Sequence, residues 1–179
     1  IKHFGAAMAS YGSTPLFHLV GITPEAPNLA AVNGINLPVT KITDDNLAAL
    51  RSDFGAKGER PDVIVFAAPQ LSIVEMGEVS SLVDGQKLKV PMIVCTSPQT
   101  FGDARRMGFV DKIENAGGVV LEGTCFYQQG AKEIGEANGW ARLLSNSTKI
   151  VNILGGYGYK PALASMKDCV AAAINGKIV

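Results

Sequence analysis

The chain has 179 residues, 47% of them hydrophobic, enough to bury the core of one α/β domain or two small ones. Sixteen Lys and Arg balance sixteen Asp and Glu, and no block of like charge stands out, so nothing calls for a nucleic acid, an anionic membrane or an acidic protein as partner. No apolar run approaches the roughly 20 residues that cross a bilayer, and three well-separated cysteines, Cys95, Cys125 and Cys169, argue against a disulfide framework. The expected compartment is the cytoplasm. Residues 2–17 read as the inside of an element, so the chain is expected to be an excised part of a longer protein.

Residues 4–20 are rich in Ala, Ser and Gly and read as a tightly packed helix broken or kinked near Gly12 and Pro15. A turn-rich stretch with Pro24 and Pro27 follows. From Thr43 a short helix is predicted to about Phe54, with Leu47 and Leu50 on one side and Gly55 as its stop. Residues 63–68, Val-Ile-Val-Phe-Ala-Ala, form an apolar run of strand length, as expected of a strand buried on both faces. Ser72 followed by Glu75 is a capping-box pattern opening the next helix. Residues 91–95 are a second strand, 100–115 a second helix, and residues 119–121 begin a third strand. Ser165 and Asp168 repeat the capping pattern before a last helix that Gly176 ends. Strand, helix, strand, helix, strand at this spacing implies an α/β fold, a parallel sheet flanked by helices with right-handed crossovers. Residues 1–58 read as a small-residue helix and turn-rich segment, and residues 59–179 as the α/β core.

In open parallel sheets, ligands bind beyond the carboxyl ends of the strands. Those ends are here Ala68 to Ser72, Thr96 to Pro98 and Gly123 to Phe126, small, polar or cysteine-bearing throughout. They line one crevice or serve as ordinary polar turns and caps; the residue types fit both. No G-x-G-x-x-G or phosphate-loop pattern follows any strand, which disfavours a Rossmann-type nucleotide binder.

Residues 5–26, GAAMASYGSTPLFHLVGITPEA, together with Asn146-Ser147-Thr148-Lys149, resemble the aconitase X family. Weaker matches fall in the same order: Pro69 and Ser72 at a strand end, the glycine-rich lead into Thr124-Cys125, and the last helix. The resemblance implies the catalytic domain or large subunit of a hydro-lyase that dehydrates a small hydroxy-acid, with an iron–sulfur centre held by cysteines and a smaller partner subunit or domain. Such chemistry needs a base for the proton beside a carboxylate and an acid that helps hydroxide leave.

By that resemblance Cys125 is the metal ligand, and Ser147 the base, with Lys149 supplying positive charge that a weakly basic hydroxyl requires. His18 is a catalytic candidate, and Ser10, Glu25, Ser72 and Asn146 are expected at the substrate, with Ser13 near them. The plainer readings are a helix cap for Ser147 or Asn146, a core histidine for His18, and a helix-start acid for Glu25. Cys95 and Cys169 have apolar neighbours and read as packing residues. His3 reads as surface, and Tyr157-Gly158-Tyr159 as a loop with aromatic anchors. The chain departs from the family at Ala68, where several members carry cysteine, and at Gln70, where histidine is common. Further ligands are then expected from outside the chain. The alternative these two positions support is a non-catalytic α/β ligand-binding or regulatory domain that has lost the cluster.

Overall fold

The structure, a computed structural model, describes residues 1–178. Along the chain run α1 (Lys2–Gly12), α2 (Asp44–Asp53), β1 (Val63–Leu71), α3 (Ile73–Val83), β2 (Met92–Thr96), α4 (Pro98–Arg106) and α5 (Phe109–Ala116). Then come β3 (Val119–Glu122), α6 (Ala131–Asn138), β4 (Arg142–Ser145), α7 (Thr148–Gly155), β5 (Lys160–Leu163) and α8 (Met166–Asn175). The five strands form one sheet in the order β3-β2-β1-β4-β5, and every pairing is parallel. Among the described residues, no helix is long and apolar enough to cross a membrane.

The central strand shows why its sequence is apolar without interruption. Successive side chains of a strand point to opposite faces. Ile64 and Phe66 pack with Met76, Val79, Val110, Ile113 and Val170 from α3, α5 and α8. Val63, Val65 and Ala67 pack on the other face with Phe126, Ala131, Ile150 and Leu154. Helices therefore cover both faces, and an alternating pattern has no exposed face to mark. Burying a side chain such as Phe66 contributes about 1.5–3 kcal/mol relative to leaving it in water.

The capping signals act as their residue types predict. Ser72 Oγ accepts from the Glu75 amide while the Glu75 carboxylate receives the Ser72 amide at 2.8 Å. Ser165 caps α8, which ends on the left-handed Gly176. Three boundaries differ from the sequence reading. The first helix stops at Gly12, followed by Ser13 in the left-handed region, and does not resume before residue 20. The helix expected over 100–115 is two helices, because Gly108 takes a φ of 76° and turns the chain between α4 and α5. Two further strands, β4 and β5, extend the sheet beyond β1.

Residues 1–60 contribute no strand, and only Ala26 and Gly34 among them are buried. The segment is attached through α1, which packs on α7, and through the stretch after α2, where Phe54 O accepts the Leu163 amide at 2.8 Å. Asn152 Nδ2 of α7 donates to Ser10 Oγ at 2.9 Å.

Candidate active site

Strand order places β2 and β3 on one side of β1 and β4 and β5 on the other, so the chain reverses its direction of travel across the sheet between β1 and β4. Crevices form beyond the carboxyl ends of the strands at such a switch point. Here β1 is irregular at its exit: its register with β2 shifts between Phe66 and Leu71, Ala68 has a φ of 45°, and the Ala68–Pro69 peptide is cis. Buried hydroxyls then supply hydrogen bonds to the strand's carbonyls. Ser145 Oγ donates to Val65 O, Ser147 Oγ to Ala68 O and Thr96 Oγ1 to Leu71 O, each at 2.7 Å.

Ser147 is the N-cap of α7, where its Oγ also accepts from the Ile150 amide at 3.2 Å. It is almost fully buried. The Cys125 thiol approaches the same stretch of β1 from the exit of β3. Burial pushes this thiol up, and the amides of Tyr127, Ala68 and Phe126, together with the Lys149 charge, act in the opposite direction. Cys125 and Ser147 thus meet the backbone of one residue, Ala68, with Lys149 close enough for its charge to be felt at the thiol. Cys95 stands next to Cys125 in the core; burial, then the neighbouring thiol, push it up to about 12, against a hydrogen bond from the Phe126 amide. Cys169 lies on the other face, fully buried, and burial keeps it a thiol. Cys95 and Cys169 are core residues, as their neighbours in sequence predicted.

A second polar group surrounds the start of α3. Lys2 forms an ion pair with Glu75 and donates to Gln70 O at 2.9 Å, and His3 Nε2 lies 3.3 Å from Glu75 Oε1. Gln70 Nε2 in turn donates to Thr124 O at 2.8 Å, next to Cys125. Ser72 Oγ is held by the Glu75 carboxylate at 2.7 Å, so its hydroxyl is engaged within the helix cap. Burial raises the Glu75 carboxyl, but the bonds from Lys2 and Ser72 and the Lys2 charge together outweigh it and hold the group at about 2. Sequence reading missed this cluster: His3 and Lys2 show no motif, and Glu75 was legible only as a capping residue. No local pattern announces a pairing across some 70 positions.

His18 and Glu25 are brought together, Nδ1 to Oε1 at 3.4 Å, without an aligned hydrogen bond. Glu25 lies in a turn closed by the Ala26 amide on Thr23 O at 2.9 Å, not in the first turn of a helix. Among the described residues, neither side chain bonds to the Ser147 group. Ser10 meets Asn152, Ser13 ends α1, and Asn146 lines an open cavity beside the exits of β4 and β5. Tyr159 anchors its loop by donating from Oη to Ala131 O at 2.7 Å.

Residues 61–175 match the aconitase X third domain, and residues 1–52 match the aconitase X second domain. The cis-3-hydroxy-L-proline dehydratase of Pseudomonas aeruginosa is 27% identical over 183 residues, covering 99% of this chain and 31% of that protein. The phosphomevalonate dehydratase large subunit of Methanothermobacter thermautotrophicus is 34% identical over 135 residues, covering 75% of this chain and 33% of its own length. The crystal structure of Thermococcus kodakaraensis aconitase X in its holo-form superposes with a TM-score of 0.80 at 25% identity, over 96% of this chain and 43% of that one. The chain thus spans about a third of the length of these two curated relatives. With two successive domain segments matched and the fold shared across nearly its whole length, the chain belongs to the aconitase X family.

Proposed function

We propose that the chain is part of a hydro-lyase that dehydrates a small hydroxy-acid, with Ser147 taking the proton beside the substrate carboxylate. One observation carries this reading: Ser147 and Cys125, from the exits of β4 and β3, converge on Ala68 at the switch point of the sheet. A serine hydroxyl is too weak a base unless negative charge on its oxygen is stabilised. Ser147 Oγ receives the Ile150 amide and sits at the positive end of α7, and both favour that charge. Lys149, two residues on, adds a full positive charge. To act, Ser147 must first pass on the hydroxyl proton that it donates to the Ala68 carbonyl; Lys149 as the free amine is the acceptor this chain offers, which leaves an alkoxide beside an ammonium.

The other candidates are unequally placed. Asn146 faces open space and is best positioned to touch a ligand. Ser10 and Ser72 are engaged in contacts within the protein, and His18 and Glu25 face each other. Relatives named as large subunits point to a smaller partner that completes the enzyme.

The iron–sulfur centre that the resemblance implies is not matched by this chain's donors alone. Among the described residues, no group of three or more His, Cys, Asp or Glu side chains is placed to hold a metal ion. Cys125 is the thiol the chain would present to such a centre, with only the core residue Cys95 beside it.

The test uses the longer protein containing this chain, with its partner, assayed on cis-3-hydroxy-L-proline and on phosphomevalonate. Ser147→Ala is expected to lower kcat by about 10²-fold or more while substrate still binds; turnover within twofold of the parent removes Ser147 from the chemistry. A second reading, a non-catalytic ligand-binding or regulatory domain, is favoured by the burial of Ser147 and the internal satisfaction of its hydroxyl. Correctly folded, iron-free protein inactive on both substrates decides for it.

A further inference from the structure

The exits of β1, β2 and β3 are tied into one ring of hydrogen bonds. Thr96 Oγ1 at the end of β2 donates to Leu71 O of β1 at 2.7 Å, and the Gly123 amide after β3 donates to Thr96 O at 2.8 Å. Gln70, next to Leu71, closes the ring: its Nε2 donates to Thr124 O, next to Gly123, at 2.8 Å. Because β2 lies between β1 and β3, this one carboxamide spans the end of a whole strand.

The Thr124 carbonyl belongs to the same planar peptide as the Cys125 amide, so the bond from Gln70 fixes the plane from which the cysteine side chain departs. Gln129 Nε2 holds Thr124 at its hydroxyl as well. Beyond Cys125 the chain is anchored by Phe126, which is fully buried and packs edge-on against Tyr159. Cys125 therefore sits between an apolar anchor and a polar one. Its thiol meets amides from two walls, Ala68 of β1 on one side and Phe126 and Tyr127 of its own loop on the other. One sulfur meets them all only while the separation of those walls is fixed. Gln70 sets it, because its side chain joins the strand that carries Ala68 to the loop that carries Cys125. Gln70 is itself held: Lys2 donates to its carbonyl at 2.9 Å while paired with Glu75.

We infer that Gln70 is a positioning residue, whose carboxamide holds the Thr124–Cys125 peptide so that the thiol stays between β1 and its own loop. The inference rests on the reading of Cys125 as the thiol offered to a metal centre, and adds to it the residue that keeps the donor in place. Gln70 acts only through Cys125.

The test is alkylation by iodoacetamide, followed cysteine by cysteine with mass spectrometry, on the longer protein with its partner after anaerobic removal of iron by a chelator. Gln70→Glu keeps the length of the side chain but turns an acceptor toward the Thr124 carbonyl. Its Cys125 is expected to react at least fivefold faster than in the parent. Cys95, Cys169 and the melting profile are expected to stay unchanged, because Phe126 still anchors the loop. Gln70→His restores an N–H at a similar reach and is expected to react like the parent. A merely structural role would loosen all three cysteines together. Cys125 of Gln70→Glu reacting at the parent's rate, Cys95 or Cys169 speeding up with it, or Gln70→His reacting as fast as Gln70→Glu each overturns the inference. Iron content separates the two claims: parent protein purified without iron removes the metal reading of Cys125, and the alkylation rates still decide on Gln70.

Discussion

Residues 1–60 and residues 61–178 are built from similar amounts of apolar side chain but put it to opposite use. In the second region Val63 to Ala67 are all but inaccessible. In the first, Val39 is 91% exposed, and Leu16, Ile22, Ile35, Leu37 and Ile42 are all exposed by more than 60%. Apolar composition supplies the driving force for burial but no geometry. Burial needs regular elements whose apolar faces meet. The sheet provides that for β1, while residues 13–42 form little more than turns. What orders the first region is a small number of separate contacts: Lys2 and His3 on Glu75, Asn152 on Ser10, and the edge-to-face pair Phe4–Phe17 with ring centres 5.0 Å apart.

The contrast is broken most directly in the core. Phe66→Ala is expected to cost about 3–5 kcal/mol in urea-induced unfolding, since a fully buried ring is replaced by a cavity. Glu75→Gln probes the junction of the two regions and is expected to cost about 1 kcal/mol through the weakened cap. It also carries a signature in acid. The Glu75 carboxyl titrates at about 2 in the folded protein against an ordinary value of 4.5. Its contribution is therefore complete above about pH 4.5 and is lost as pH falls toward 2. Stability measured across that window is expected to fall less steeply in Glu75→Gln than in the parent; parallel curves refute the junction. The smallest effect is expected at Val39→Ser, within about 0.5 kcal/mol, because its side chain is already in water.

Legibility followed the same division. Runs of β-branched residues announced β1 and β2, and Ser-x-x-Glu and Ser-x-x-Asp announced the starts of α3 and α8, because these signals are local. β4 and β5 escaped: each has four residues, one opening with Arg142 and the other carrying Pro161, so neither shows a period long enough to recognise. The α4–α5 break escaped because apolar spacing continues past Gly108. At the candidate site, Ser147 was legible both as a cap and, by resemblance, as a reactive group. Its bond to Ala68 was not, since it joins residues 79 positions apart through strand order alone.

Thr96, Ser145 and Ser147 act as three pegs driven into the exit of β1, each hydroxyl proton committed to a backbone carbonyl of that strand. Truncating any of them to alanine strands a buried acceptor, a loss of about 1–3 kcal/mol. The mouth of the sheet thus owes its shape to three small side chains as much as to strand pairing. Tolerance to substitution there is expected to track the ability to donate a hydrogen bond more closely than size or hydrophobicity.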